Sequence, residues 1–141
     1  MTIAVALHDS PEGRAALLHA AKEALFQGAS LAVLYVVEHD QHDQPDAAQH
    51  RERLTRDIGQ QLAEAGYAPL EWSLHTATDE NTRAAALIQL TDAVAADLLV
   101  IASRRRTPIG KFLLGSTVQR VVLDSPVPVL VVKAPRPEER P

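Results

Sequence analysis

The chain has 141 residues and 46% apolar content, the length and composition of one globular domain with its own core. Aromatic residues make up 4% and the formal net charge is −4, which argues against a base-stacking or phosphate-tracking nucleic-acid surface; basic residues gather only at Arg104, Arg105 and Arg106. The lack of cysteine excludes disulfides, thiolate metal sites and cysteine nucleophiles, and fits a cytoplasmic protein; the short Met1–Leu7 run, without a basic start, is no signal peptide, and no apolar run approaches the roughly 18 residues that span a bilayer.

Ile3–Leu7 is a β-branched run that predicts a first strand, closed by the turn His8-Asp9-Ser10-Pro11. Asp9 or Ser10 can cap a helix with Pro11 at its first position and Leu17, Ala20, Ala21 and Ala24 on one face; Gly28 ends it. Ser30–Val37 is almost continuously apolar, as a strand buried on both faces of a parallel sheet would be. After a polar segment, a second helix is predicted over Ala47–Ala65, with Leu54, Ile58, Leu62 and Ala65 in one stripe and Gly66 at its end.

Leu70–His75 alternates apolar and polar, the pattern of an edge strand. Thr78 or Asp79 is placed as the cap of a third helix, Asn81–Ala95, whose buried stripe is Ala84, Leu87, Ile88 and Thr91. Asp97–Ala102 is another buried strand, followed by an Arg-rich loop. A fourth helix starts at Gly115-Ser116-Thr117, and Val127–Val132 is the last strand. Residues 134–141 form a charged, Pro-rich tail read as disordered, which leaves residues 1–133 as the domain. Strict β-α alternation implies an α/β fold: a five-stranded parallel sheet sandwiched by about four helices. Ligands of such sheets bind at the carboxyl ends of the strands, near the point where strand order reverses.

Three stretches carry a family resemblance. They are Asp97-Leu-Leu-Val-Ile-Ala-Ser103, then Gly115-Ser116 with its helix, then Pro126-Val-Pro-Val-Leu-Val-Val-Lys133. With the opening Val5-Ala-Leu-His-Asp-Ser-Pro-Glu12 and Leu31–Val37, the chain resembles the universal stress protein family from about residue 2 to residue 133. The resemblance implies a flavodoxin- or Rossmann-like sandwich of the adenine nucleotide alpha hydrolase type. It also implies ATP or AMP as the candidate ligand, a role in stress response, and a homodimer formed through the last strand.

Nucleotide-binding members of the family carry Gly-x2-Gly-x9-Gly-[Ser/Thr], in which glycines let backbone approach phosphate and the last pair opens a helix. Here the pattern falls on Ala102, Arg105, Gly115 and Ser116, so the first two glycines are replaced. The chain is closer to a branch with Arg-Arg-Arg-[Ser/Thr]-Pro-x-Gly-Lys in this loop. The family's Asp after the first strand is His8 here, with Asp9 one residue later.

The candidate nucleotide or anion site is therefore His8, Asp9, Val37, Ala102, Arg104, Arg105, Arg106, Gly115, Ser116 and Thr117. Gly115-Ser116-Thr117 can equally be an ordinary helix cap, and the arginines an ordinary solvated loop. The candidate dimer strand offers Val127, Val129, Leu130, Val131 and Val132, with Pro128 lacking a donor. His39, Asp40, His42 and Asp43 lie in a polar segment with no scaffold to preorganise them, and no metal is assigned. No nucleophile elbow or Walker loop is present, so no catalytic residue is assigned and the chain is read as a non-enzyme. Two functional readings stand: a dimeric stress-response interaction module with an altered nucleotide pocket, and an ATP- or AMP-binding switch that uses the arginines as a phosphate clamp. Slow nucleotide hydrolysis is the least favoured.

Overall fold

The apolar runs of the sequence make the middle of one sheet. The computed structural model describes residues 1–8, 10–37, 47–79, 81–103 and 114–133. Its elements are β1 (Thr2–Ala6), α1 (Pro11–Gln27), β2 (Ser30–Val37), α2 (Ala47–Glu64), β3 (Trp72–Thr78), α3 (Arg83–Ala93), β4 (Leu98–Ala102), α4 (Ser116–Asp124) and β5 (Val129–Val132). The strands are parallel in the order β3-β2-β1-β4-β5. The two central runs, β1 and β2, are buried on both faces, which is why they show no alternation.

Each face of the sheet takes two helices. Ile3, Val5, Leu31, Val33 and Val100 meet α1 and the Ile58 and Leu62 stripe of α2. Ala4, Ala32, Leu34, Leu99 and Ile101 meet Ala84, Ala86 and Leu87 of α3 and Val118 and Val121 of α4. Alanine is abundant because helix and sheet backbones lie close together: Ala16, Ala20, Ala21 and Ala24 are wholly buried under α1. The α1 stripe therefore stands as the periodicity placed it. In α2 the stripe ends early, since Ala65 is exposed beyond the last helical turn.

Several boundaries differ from the sequence expectation, for reasons that the contacts show. Ser10, one of the two expected caps, caps α1: its Oγ accepts from Gly13 N at 3.0 Å. β3 starts and ends later than Leu70–His75. Leu70 closes a turn on Tyr67 O, and Thr76 to Thr78 are drawn into the strand by pairing with Tyr35 to Val37 of β2. Thr78 is thus strand, and the cap of α3 is Thr82, whose Oγ1 accepts from Ala85 N at 3.0 Å. α3 stops at Ala93 because Ala95 takes a left-handed φ of 52°, and Ala96 N returns to Thr91 O at 3.2 Å. A helix end without glycine leaves no mark in the sequence, hence the expected extension to Ala95.

β5 begins at Val129, not Val127. Val127 is held by Ser125, whose Oγ donates to Val127 O at 2.7 Å and receives Val127 N at 3.1 Å, and Pro128 has no donor to contribute. Strand order puts β3 and β5 at the two edges. At β3 the Arg51 guanidinium covers the edge, donating to Leu74 O at 3.0 Å and Thr76 Oγ1 at 3.3 Å. Among the described residues no helix is long and apolar enough to cross a membrane.

Candidate functional site: a cleft at the switch point

Chain direction makes the cleft. β1 leads through α1 and α2 to β2 and β3 on one side, then α3 carries the chain back to β4 on the other side of β1. The β1–β4 ladder runs only from Ile3–Leu98 to Val5–Val100. Beyond it each strand bonds outward: Leu7 N to Leu34 O of β2 at 2.8 Å, and Ser103 N to Val132 O of β5 at 2.8 Å. The ends of β1 and β4 are tied to opposite neighbours, and a gap opens between them. This gap is a cleft of about 460 Å³, within the roughly 300–1,000 Å³ usual for cofactor sites.

The floor is apolar, from Ala6, Leu87, Ile101 and Val118. Its rim carries the chemistry. The turn after β1 supplies His8, Ser10 and Glu12; β4 supplies Ala102 and the buried Ser103; the start of α4 supplies Gly115, Ser116 and Thr117. The turn is set by close packing. Ser10 N donates to His8 O at 2.9 Å, and Gly13 lies so tightly over His8 that a Cβ there would overlap the His8 carbonyl oxygen. Only glycine fits the third position of α1.

The start of α4 is the electrostatic feature. Its cap residue, Gly115, has extended backbone (φ −65°, ψ 162°) and offers no side chain to the helix. The first helical hydrogen bond is Gln119 N to Gly115 O at 3.0 Å, so the N–H groups of Ser116, Thr117 and Val118 precede the ladder without helical partners. α1 and α3 by contrast spend a Ser10 or Thr82 hydroxyl on their own first turn. Donors that neither the helical ladder nor a cap side chain of Gly115 claims, at the positive end of a helix and facing a cleft with two further hydroxyls, suit an anion.

Of the residues singled out in the sequence, His8, Ala102, Gly115, Ser116 and Thr117 come together here. Val37 does not line the cleft; it ends β2, where its carbonyl accepts from Asp79 N at 3.2 Å. Asp9, Arg104, Arg105 and Arg106 lie outside the described residues, as do His39, Asp40, His42 and Asp43. Sequence reasoning missed Ser10, Glu12, Ser103 and above all Arg83, the first residue of α3, which lines the cleft opposite α4. A signal for Arg83 existed: a cation in the first turn of a helix opposes the helix dipole, so its presence asks for another reason. The expected start at Asn81 also puts Arg83 in the first turn; what only the fold shows is that this turn borders the cleft.

A model described as "Universal stress protein family" matches residues 1–133. A universal stress protein of Mycolicibacterium smegmatis is 36% identical over 131 residues, covering 93% of this chain and 96% of that one. Among solved structures, a universal stress protein from Archaeoglobus fulgidus superposes with a TM-score of 0.74 at 23% identity, over 93% of this chain and 97% of that one. A universal stress protein in complex with cAMP superposes with a TM-score of 0.72 at 25% identity, over 96% and 98%.

Proposed function

Since the chain belongs to the universal stress protein family, we propose that it is a dimeric regulatory module whose switch-point cleft takes an adenine mononucleotide, and that it acts by binding and not by catalysis. The observation that carries this reading is the start of α4, whose cap residue Gly115 makes no side-chain bond to the helix, facing the cleft between β1 and β4. The phosphate lies on Ser116 and Thr117, and the base and ribose on the apolar floor. Arg83 adds a cation at the opposite rim. A relative that binds cAMP supports a nucleotide of this size. The role in stress response rests on family membership alone.

Calorimetric titration tests this. AMP binds the wild type saturably, and Arg105→Gly weakens binding about tenfold, the worth of one charge-assisted contact. Stronger binding by Arg105→Gly means that the arginine obstructs the cleft; no heat from AMP, ATP or cAMP with either protein refutes nucleotide binding.

The dimer has its own support. β5 is an edge strand with Val129, Leu130, Val131 and Val132 all half-buried, and Leu123 on the preceding helix is 81% exposed. Arg51 occupies the backbone of the β3 edge, whereas a second copy of β5 can cover the β5 edge and its apolar flank. A lysine on an edge strand is a common natural block to such pairing. Val131→Lys is therefore expected to sediment as a folded monomer where the wild type sediments as a dimer. Unchanged sedimentation of the variant removes β5 from the interface.

A further inference from the structure

On the other face of the sheet a second cleft, of about 220 Å³, opens between α1 and α2. It shares Leu7, His8 and Ser10 with the first, so the turn after β1 is the wall between the two. Its size exceeds the roughly 150 Å³ that encloses a benzene ring and falls short of the usual cofactor site.

Three polar side chains around it, Gln61, Arg14 and Arg53, have groups without partners among the described residues. Gln61 Oε1 is buried with no hydrogen-bond partner among the described residues, an arrangement that a bound donor would relieve by drawing the amide round toward the cleft. Arg14 from α1 and Arg53 from α2 line the cleft, and neither guanidinium forms an ion pair or hydrogen bond among the described residues. Arg51 on the same helix differs, being committed to Leu74 and Thr76. Tyr35 and His50 add a flat wall, their ring centroids 5.9 Å apart at 48°. Leu54 and the buried Ile58 add apolar surface. Asp57 is the one acidic side chain among the described lining residues, which leaves one net positive charge with the histidines neutral. That balance suits a monoanion and not a polyphosphate.

We propose that this second cleft binds a small planar heteroaromatic carboxylate. Its carboxylate lies on Arg14 and Arg53, its ring lies on Tyr35 and Leu54, and a ring N–H donates to Gln61 Oε1 once the Gln61 amide has turned toward the cleft about its soft terminal torsion. The site is separate from the switch-point cleft and does not depend on nucleotide binding there.

The test is an NMR and calorimetric titration of the whole chain with orotate, a pyrimidine carboxylate with ring N–H groups. Benzoate, inorganic phosphate and AMP serve as comparisons. Orotate shifts the amides around Tyr35, His50 and Gln61. Benzoate, with no ring donor, binds about tenfold more weakly, and Arg53→Gln weakens orotate about tenfold. Arg53 is exposed, so the variant keeps the wild-type melting curve, and excess AMP leaves orotate bound. The proposal is overturned if orotate does not bind, or if Arg53→Gln binds it as the wild type does. Phosphate binding as tight as orotate binding overturns it in favour of a plain anion site. Displacement of orotate by AMP overturns it by placing both ligands in the first cleft.

Discussion

Gly13→Ala is expected to destabilise the protein by about 3 kcal/mol, although alanine is the better helix former. In an ordinary helix interior the change gains about 1 kcal/mol. Here the added methyl would overlap the carbonyl oxygen of His8, with the His8 carbonyl carbon 2.8 Å and its Cα 3.0 Å away. These are backbone atoms, so no side-chain rotation relieves the contact. The turn must lift, and it is held by Ser10 N to His8 O and by Gly13 N to Ser10 Oγ. Overpacking costs typically about 1–3 kcal/mol and more where backbone must move, which exceeds the propensity gain. For a domain of this length the shift in melting temperature is on the order of 10 °C, read by calorimetry or urea unfolding. Because His8 and Ser10 line both clefts, ligand affinity falls as well. A melting temperature at or above that of the wild type would show that the turn relaxes freely and does not set the cleft.

Ser116→Asp is expected to reduce AMP affinity about a hundredfold at low ionic strength while leaving stability unchanged or slightly raised. Ser116 is the first residue of α4, where a carboxylate favours the helix by about 0.3–1 kcal/mol. The same carboxylate takes the place of the ligand anion and repels it. Unit charges about 4 Å apart repel by about 4 kcal/mol at an effective dielectric of about 20. Ser116 is exposed, so solvent screening cuts that value substantially; what remains corresponds to about two decades of affinity. The opposite signs expected for folding and for binding make the variant informative. If AMP binds as tightly as to the wild type, the phosphate does not rest on α4.

Much of this architecture can be read without coordinates. Buried strands at Ser30–Val37 and Leu98–Ala102 follow from unbroken apolar runs, and the α1 face from its alanines and Leu17. Gly28 at φ 67° and Pro11 at the start of α1 act at the positions their chemistry suggests. Boundaries failed where the deciding partner is distant in sequence. β3 takes its length from β2, and α3 ends on an alanine in a conformation usually left to glycine.

The site divides in the same way. Gly115-Ser116 is visible as a helix start in the sequence, and Gly115 as its cap residue has no side chain to spend on the first turn, but that this start faces a cleft appears only in the fold. Gly13 looks like a weak spot in a helix until His8 is seen beneath it. Arg83 and Arg53 are ordinary surface residues in sequence; one lines each cleft only because β3 crosses back to β4 and α2 settles beside β2. By itself the sequence determined the fold class, the family and the helix start at Ser116, because periodicity, turn residues and short motifs are local. Tertiary structure alone decided where the clefts lie, what lines them and which strands form the sheet edges, because these depend on strand order and on contacts between residues far apart in the chain.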